Sequence, residues 1–345
     1  MSDLREILVI GGTGAQGIPV VHALSKSLRY RVRVLTRDPK SSRAQELLKL
    51  PNVSLIQGTQ DSQADLHAAF KGVYGAWVNT DGFTLGEKAE LFYGIRAYEI
   101  ARAEKVQHYV WANIEYGLKI AGWDEAYHVG HHDSKGRIGE FILGQGQDGD
   151  MKSSLLTTGP YVNMLYDGMY VPKEQEDGSF VWANPAKDLK IPFIALEDVG
   201  HYSLWLFDNP AEAAGMDLKV ATENIAFADI VKKAFSEVTG KKGVHVFVPL
   251  EKYLPAAEPY PGASSNWAVN DNTIRDESFQ TWRENFLAWL EFWGEGHATK
   301  RDFELLDRIH PGRIKSVAEW MRLVGYDGKR KQVLKGVEDL RQQKL

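Results

Sequence analysis

His131 and Lys135 stand four residues apart in the run Tyr127-His128-Val129-Gly130-His131-His132-Asp133-Ser134-Lys135. If a helix has begun by residue 131, they lie one turn apart on one face. A lysine aimed into a cleft can donate to the hydroxyls of a bound sugar, and its charge lowers the pKa of a nearby acid. Three histidines and Asp133 also suggest a metal site. Adjacent histidines diverge on a helix, however, and no further ligand motif follows, so no metal is assigned. His128 and His132 read as solvated.

Gly11-Gly12-Thr13-Gly14-Ala15-Gln16-Gly17 carries a different chemistry. The apolar run 7–10 precedes it and the glycine-free segment 18–24 follows, which reads as a buried strand, a tight turn and a helix start. Gly11 lets the chain turn off the strand. Gly14 has no Cβ, so backbone can approach a pyrophosphate, and Gly17 lets the helix sit close on the sheet. The helix start offers free N–H groups and the positive end of a dipole. This context points to a dinucleotide. Arg37 stands twenty residues after Gly17, at the end of the second predicted strand. An acidic residue there would bind the ribose 2′-hydroxyl of NAD, whereas arginine suits the 2′-phosphate of NADP(H). Lys40 and Ser41 add donors. The alternative for Arg37 is a surface pair with Asp38. Gln60-Asp61 and Asn79-Thr80-Asp81 follow the third and fourth strands, where an adenine ring and the middle of the cofactor would lie.

The elements that must position these residues alternate. Strands are predicted at 7–10, 31–36, 53–56, 75–78, 108–112 and 154–158, with helices at 17–28, 41–49, 62–71, 86–104 and 131–146. This predicts an α/β fold, a doubly wound parallel sheet covered on both faces, with ligands beyond the carboxyl ends of the strands. After Pro160 the rhythm breaks. Residues 160–195 are rich in glycine, proline and aromatics. A helix at 197–209, a strand at 218–222 and a helix at 226–239 follow. A loop at 254–273 leads to helices at 276–294, 299–308 and 313–324. Residues 1–159 read as the NADP(H)-binding domain. Residues 160–345 read mostly as a smaller substrate-binding lobe, with the strand near 218–222 returning to the sheet.

Composition narrows the class. The 345 residues carry a net charge of −5, which suggests neither a nucleic-acid surface nor a polybasic membrane patch. With no cysteine, disulfides, thiol catalysis and Cys-ligated zinc are excluded. No apolar stretch approaches the ~20 residues of a membrane span, and the first apolar run is too short for a signal peptide. A cytoplasmic protein is expected. Ten tryptophans and fourteen tyrosines fill a core and leave some to line a pocket for a flat substrate.

The glycine run resembles that of the NmrA-like family, the atypical short-chain dehydrogenases. So does Thr36-Arg37-Asp38-Pro39, and His131-His132-Asp133-Ser134-Lys135 resembles that family's His-x-Asp-x-Lys helix start. Gly159-Pro160-Tyr161-Val162-Asn163, Glu197-Asp198-Val199-Gly200 and Ala221-Thr222-Glu223 agree. The likeness covers about 5–250, and the tail from Lys300-Arg301-Asp302 through His310-Pro311 to Trp320-Met321 resembles an extension of one subgroup often found in fungi. The resemblance implies an extended Rossmann fold and NADP(H). By position it implies binding by Gly11, Gly12, Thr13, Gly14, Ala15 and Gln16, by Arg37, Asp38, Pro39, Lys40 and Ser41, and by Gln60 and Asp61. It extends the same role to Asn79, Thr80, Asp81, Asn113 and Lys135, and to Gly159, Pro160, Tyr161 and Val162. Two departures stand out. Ordinary short-chain dehydrogenases place a proton-donating tyrosine where this chain has His131, and a serine where it has Asn113.

Two functions follow from the resemblance. One is an NADPH-dependent reductase of a small, aromatic or polyketide-type secondary-metabolite intermediate. Lys135 would hold the ribose, His131, Tyr116 or Tyr127 would supply the proton, and Trp123, Tyr161, Tyr166 and Trp267 would line the pocket. The other is a non-catalytic NADP(H) redox sensor that regulates a protein partner. Expected partners are a small-molecule substrate, no nucleic acid and no membrane, with a homodimer as the candidate assembly.

Overall fold

Ile7, Leu8, Val9 and Ile10 are all buried, as a continuous apolar run requires when both faces of a strand are covered. In the computed structural model, which describes residues 4–334 except 148, 266–275 and 277–278, this run lies in the middle of a seven-stranded parallel sheet. Leu8 and Ile10 face Phe70, Tyr98 and Trp111. Ile7 and Val9 face Val20, Leu24, Tyr202 and Phe207 on the other side.

In chain order the first half is β1 (Arg5–Ile10), α1 (Gly17–Lys26), β2 (Tyr30–Thr36), α2 (Ser42–Leu48), β3 (Val53–Gln57), α3 (Gln63–Phe70) and β4 (Gly75–Val78). It continues with α4 (Gly82–Leu85), α5 (Glu87–Ala103), β5 (His108–Ile114), α6 (Gly117–Ile120), α7 (Gly130–Gly144) and β6 (Lys152–Thr158). The second half adds β7 (Lys173–Glu174), β8 (Phe180–Asn184), β9 (Lys190–Phe193), α8 (Leu196–Asp208), β10 (Asp217–Lys219), β11 (Glu223–Ala226) and β12 (Gly243–Phe247). The main sheet runs β10-β6-β5-β4-β1-β2-β3. The chain therefore reverses its direction of travel at β1, which has β2 on one side and β4 on the other. That reversal opens a crevice beyond the carboxyl ends of β1 and β4, the usual ligand position in such sheets.

After Pro160 a strand rejoins the sheet at Asp217–Lys219 rather than 218–222: β10 pairs in parallel with β6, Leu218 against Leu156. Helix α8 lies on α1 closely enough that a Cβ on Gly200 would sit 2.3 Å from the Pro19 carbonyl oxygen. Two further small sheets, β11-β9 and β12-β8-β7, lie where the sequence suggested no strands. Their strands are two to five residues long, too short for alternation to declare itself. The helix expected at 226–239 contains a π turn over Ile230–Phe235. A helix, Leu250–Ala257, enters the stretch read as loop. The tail helices are shorter than expected, at Trp282–Gly294, Phe303–Ile309 and Val317–Val324. The first of these begins at a capping box between Thr281 and Glu284 that fixes its start. An aromatic core unites this half, with Trp182, Phe227, Trp282, Phe292 and Trp320 buried together. No helix among the described residues is long and apolar enough to cross a membrane.

Candidate cofactor and substrate site

The glycine loop is shaped by its own contacts. Gly11 takes φ +81°, and a Cβ there would lie 2.7 Å from the Asn79 carbonyl oxygen. The loops after β1 and β4 therefore touch. A Cβ on Gly17 would meet Gly11 O at 2.2 Å and Gly12 Cα at 2.6 Å, so the helix start is pressed on the turn. Gly14 is different. A Cβ there would meet only Gly11 O, at 3.1 Å, so packing alone makes a weaker demand for glycine here. The residues fit a pyrophosphate: a shallow backbone cradle at a helix start, with room over Gly14. The Gln16 side chain turns inward and donates to Thr158 Oγ1 at 3.0 Å, tying the loop to the end of β6. Thr13 is buried.

Arg37 is exposed at the end of β2, and its guanidinium makes no hydrogen bond or ion pair among the described residues. The pairing with Asp38 is absent, because that carboxylate accepts the Lys40 backbone N–H at 2.8 Å. Ser41 caps α2 by accepting from Ala44 N, and its hydroxyl donates to Asp38 O. Gln45 donates to the Pro39 carbonyl. Gln60 and Asp61 are partly buried after β3. The tail also reaches this end of the crevice. Arg43 of α2 donates to the carbonyls of Val333 at 3.1 Å, Leu334 at 3.2 Å and Thr13 at 3.4 Å. Asp167 accepts the N–H groups of Val333 and Leu334.

Lys135 and His131 occupy one face of α7, one turn apart. The Lys135 ammonium lies 2.9 Å from Asn79 Oδ1, 2.9 Å from Thr80 O, 3.2 Å from Thr80 Oγ1 and 3.1 Å from Glu90 Oε1. Glu90 is buried and also accepts from Thr80 Oγ1 at 2.6 Å and from Ser134 Oγ. Three ammonium protons thus face four acceptors, and Asn79, in the loop after β4, is the partner nearest the crevice. Asp81 caps α4 by accepting from Phe83 N. Gly159 packs on the Pro192 carbonyl, and Pro160, Tyr161 and Val162 run beside Ile194 in strand-like pairing. Burial, reinforced by the Asp81 charge, pushes the Tyr161 hydroxyl up to about 12, and a hydrogen bond links it to Thr158.

His131 lies against Phe83, with ring centroids 4.6 Å apart, and near Phe286 at 6.4 Å. Its Nδ1 is 3.4 Å from Asn285 Oδ1. Desolvation, the largest effect, pushes its pKa down to about 4. Glu90 and the Asn285 hydrogen bond oppose this shift, and Lys135 adds to it. Asn285 and Gln280 come from the far end of the chain and both accept the Gly130 N–H that opens α7, at 3.2 and 3.0 Å.

The NmrA-like family model matches residues 4–265. This chain belongs to the NmrA-like family. It is 25% identical over 256 residues to the NmrA-like oxidoreductase himF of Aspergillus japonicus, covering 69% of this chain and 74% of that protein. It is 27% identical over 264 residues to the NmrA-like oxidoreductase malD of Malbranchea aurantiaca, covering 70% and 75%. Its fold matches the negative transcriptional regulator NmrA, solved in complex with NADP, at a TM-score of 0.72 and 20% identity over 93% of this chain and 95% of that one.

Several residues singled out in this NmrA-like sequence lie elsewhere. Tyr116 turns to the opposite side of α7, where its hydroxyl accepts from Arg137 Nε at 2.8 Å. Residue 137 is two positions from Lys135, about 200° around the helix. The Tyr127 hydroxyl donates to Glu295 and its ring packs on His297. Neither tyrosine is brought to His131 and Lys135. Asn113 donates to Thr157 and packs on Gly139, within the sheet–helix interface. Trp123 is on the surface, Tyr166 is buried with Trp320 and Tyr326, and Trp267 lies outside the described residues. The expectation that His128 and His132 are solvated is wrong. His128 is bonded to Glu87 at 2.7 Å, and His132 is buried against Phe292 and Trp293. The helix Trp282–Gly294 covers His132, and Glu87 of α5 together with Gln280 holds His128. Sequence reasoning also missed Glu90, Asn285 and Gln280. Glu90 had one available signal, a carboxylate on the buried stripe of α5, whereas the other two come from a contact across some 150 positions.

Proposed function

We propose that this NmrA-like protein is an NADPH-dependent oxidoreductase acting on a small, planar molecule of the secondary-metabolite type. The observation that carries the reading is the crevice itself: a glycine cradle touching the Asn79 loop, an unpaired Arg37 at one end and Lys135 at the other. Bound NADPH supplies a hydride. Arg37 takes its 2′-phosphate through charge-assisted hydrogen bonds. The N–H groups after Gly11 take its pyrophosphate. Lys135 holds the nicotinamide ribose by releasing or sharing the donor now given to Asn79. Residues 1–159 serve the cofactor and 160–345 mostly the substrate. The himF and malD proteins, called oxidoreductases, support this reading.

One observation favours a second reading, a redox sensor: neither Tyr116 nor Tyr127 stands as a proton donor beside Lys135. One experiment separates the two. NADPH should raise the melting temperature, and NADPH should be oxidised in the presence of some member of a panel of aromatic ketones, enones and imines. Cofactor that binds but is never oxidised, with a protein partner whose affinity follows the redox state, would defeat the enzyme reading.

A further inference from the structure

We propose that His131 is a hydrogen-bond acceptor, fixed in that role by Asn285, and that the group it receives is the N–H of a protonated imine. The substrate class rests on the oxidoreductase reading, while the acceptor role stands on hydrogen-bond geometry and the burial of the ring. The Gly130 N–H can only donate, so at 3.2 Å it fixes the Asn285 amide with its oxygen toward α7. Reversing that amide would set two N–H donors against each other, and Asn285 is only 1% exposed. The same oxygen lies 3.4 Å from His131 Nδ1. A carbonyl oxygen only accepts, so Nδ1 carries the hydrogen. Packed on Phe83, Phe286 and His132, the ring is uncharged at neutral pH, and Nε2 holds a lone pair. Glu90, the carboxylate that would favour a second proton, is already shared by Lys135, Thr80 and Ser134. Nε2 has no partner among the described residues.

This polarity selects a substrate. A ketone would turn oxygen lone pairs toward the Nε2 lone pair, and its reduction would leave an alkoxide to which Nε2 has no proton to give. A protonated imine offers an N–H to Nε2 and brings its own proton. In its reduction the C=N π bond breaks, the carbon gains a C–H bond from the nicotinamide hydride, and the π pair becomes the nitrogen lone pair. The iminium charge disappears, the reduced nicotinamide is oxidised, and the product is a neutral amine that keeps its N–H.

Two measurements test this. Heteronuclear NMR of the imidazole nitrogens in the full chain, with His131→Gln to assign the signal, should give the neutral Nδ1–H tautomer at neutral pH. The Nε2–H tautomer or an imidazolium overturns the acceptor role whether or not NADPH binds. With NADPH binding established separately by thermal shift, dihydroisoquinoline should be reduced at least ~100-fold faster than α-tetralone, its ketone counterpart in shape, the scale on which proton placement acts. Equal rates, a faster ketone, or no reduction of the imine overturns the substrate class while leaving the cofactor reading intact. Asn285→Asp keeps both accepted hydrogen bonds and adds a charge that draws a second proton to His131. It should shift the NMR signal to imidazolium and lower imine reduction ~100-fold at unchanged NADPH affinity. A neutral signal in that variant, or imine reduction undiminished, counts against the proposal. Should the variant not fold, the tautomer of the unaltered protein still decides.

Discussion

The Lys135 ammonium lies 3.1 Å from the carboxylate of Glu90, a residue with no solvent exposure. Thr80 and Ser134 bond the same carboxylate, so β4, α5 and α7 are held together at the lysine that faces the crevice. Removing one partner strands the other charge. We expect Glu90→Leu or Lys135→Met alone to cost about 3–5 kcal/mol of stability, the usual loss when one buried ion partner is removed. The double variant Glu90→Leu with Lys135→Met should regain most of it and still bind NADPH poorly. Urea unfolding of the four proteins measures the coupling, and strictly additive losses would show that the pair is not a unit.

Arg37 should set cofactor choice. Its guanidinium is exposed and has no partner among the described residues, so Arg37→Ala removes a contact to the ligand and little else. A lost charge-assisted hydrogen bond of about 1.5–3 kcal/mol corresponds to roughly tenfold to a hundredfold weaker NADPH. NADH affinity should barely change. Titration by cofactor fluorescence reads both, and equal losses would remove Arg37 from the 2′-phosphate.

Gly14 and Gly17 should fail differently. A side chain at Gly17 collides with the backbone of Gly11 and Gly12, so Gly17→Ala should lower the melting temperature outright. Gly14 faces only one atom, at 3.1 Å, so Gly14→Ala should fold and Gly14→Val should fold and lose the NADPH-induced rise in melting temperature. A normal rise in the valine variant would move the phosphates off this loop.

Acid should destabilise the protein through its buried histidines. Desolvation pushes His108 and His131 down to about 4, and His132 well below its ordinary value of 6.5. A lowered histidine binds fewer protons folded than unfolded. Its stabilisation is therefore full above pH 6.5 and is lost as pH falls through 6.5 toward 4. His128 runs the other way, raised by its hydrogen bond to Glu87, and it favours the fold below 6.5. Burial also lowers His22, His201 and His245, so six lowered rings against one raised predict a net loss from the histidines. Chemical denaturation from pH 7 to 5 should show it, and His132→Leu should flatten the slope. A stability that is level across that range would contradict the burial of these rings.

The sequence exposes the parallel sheet because β1 over residues 7–10 and β4 are short apolar runs buried on both faces, and the other strands alternate with helical segments at regular spacing. It exposes Gly11, Gly17 and Lys135 because local geometry demands those residue types. It hides Asn285, because a side chain that latches α7 from the far end of the chain leaves no local signature. For the same reason His132 looks solvated: the helix that buries it is remote in sequence. Tyr116 is misread because the turn after β5 sends its side chain to Arg137, a direction no spacing encodes.

Arg43 holding the carbonyls of Val333 and Leu334, with Thr13 of the glycine loop on the same guanidinium, has a practical side. An experimenter's choice of fusion end matters for this protein. A dye coupled at residue 332 would sit near Arg43 and the glycine loop, and a change in its emission on adding NADPH would place the cofactor there. A handle before residue 4 precedes β1, whose first residue lies at the opposite end of that strand from the glycine turn.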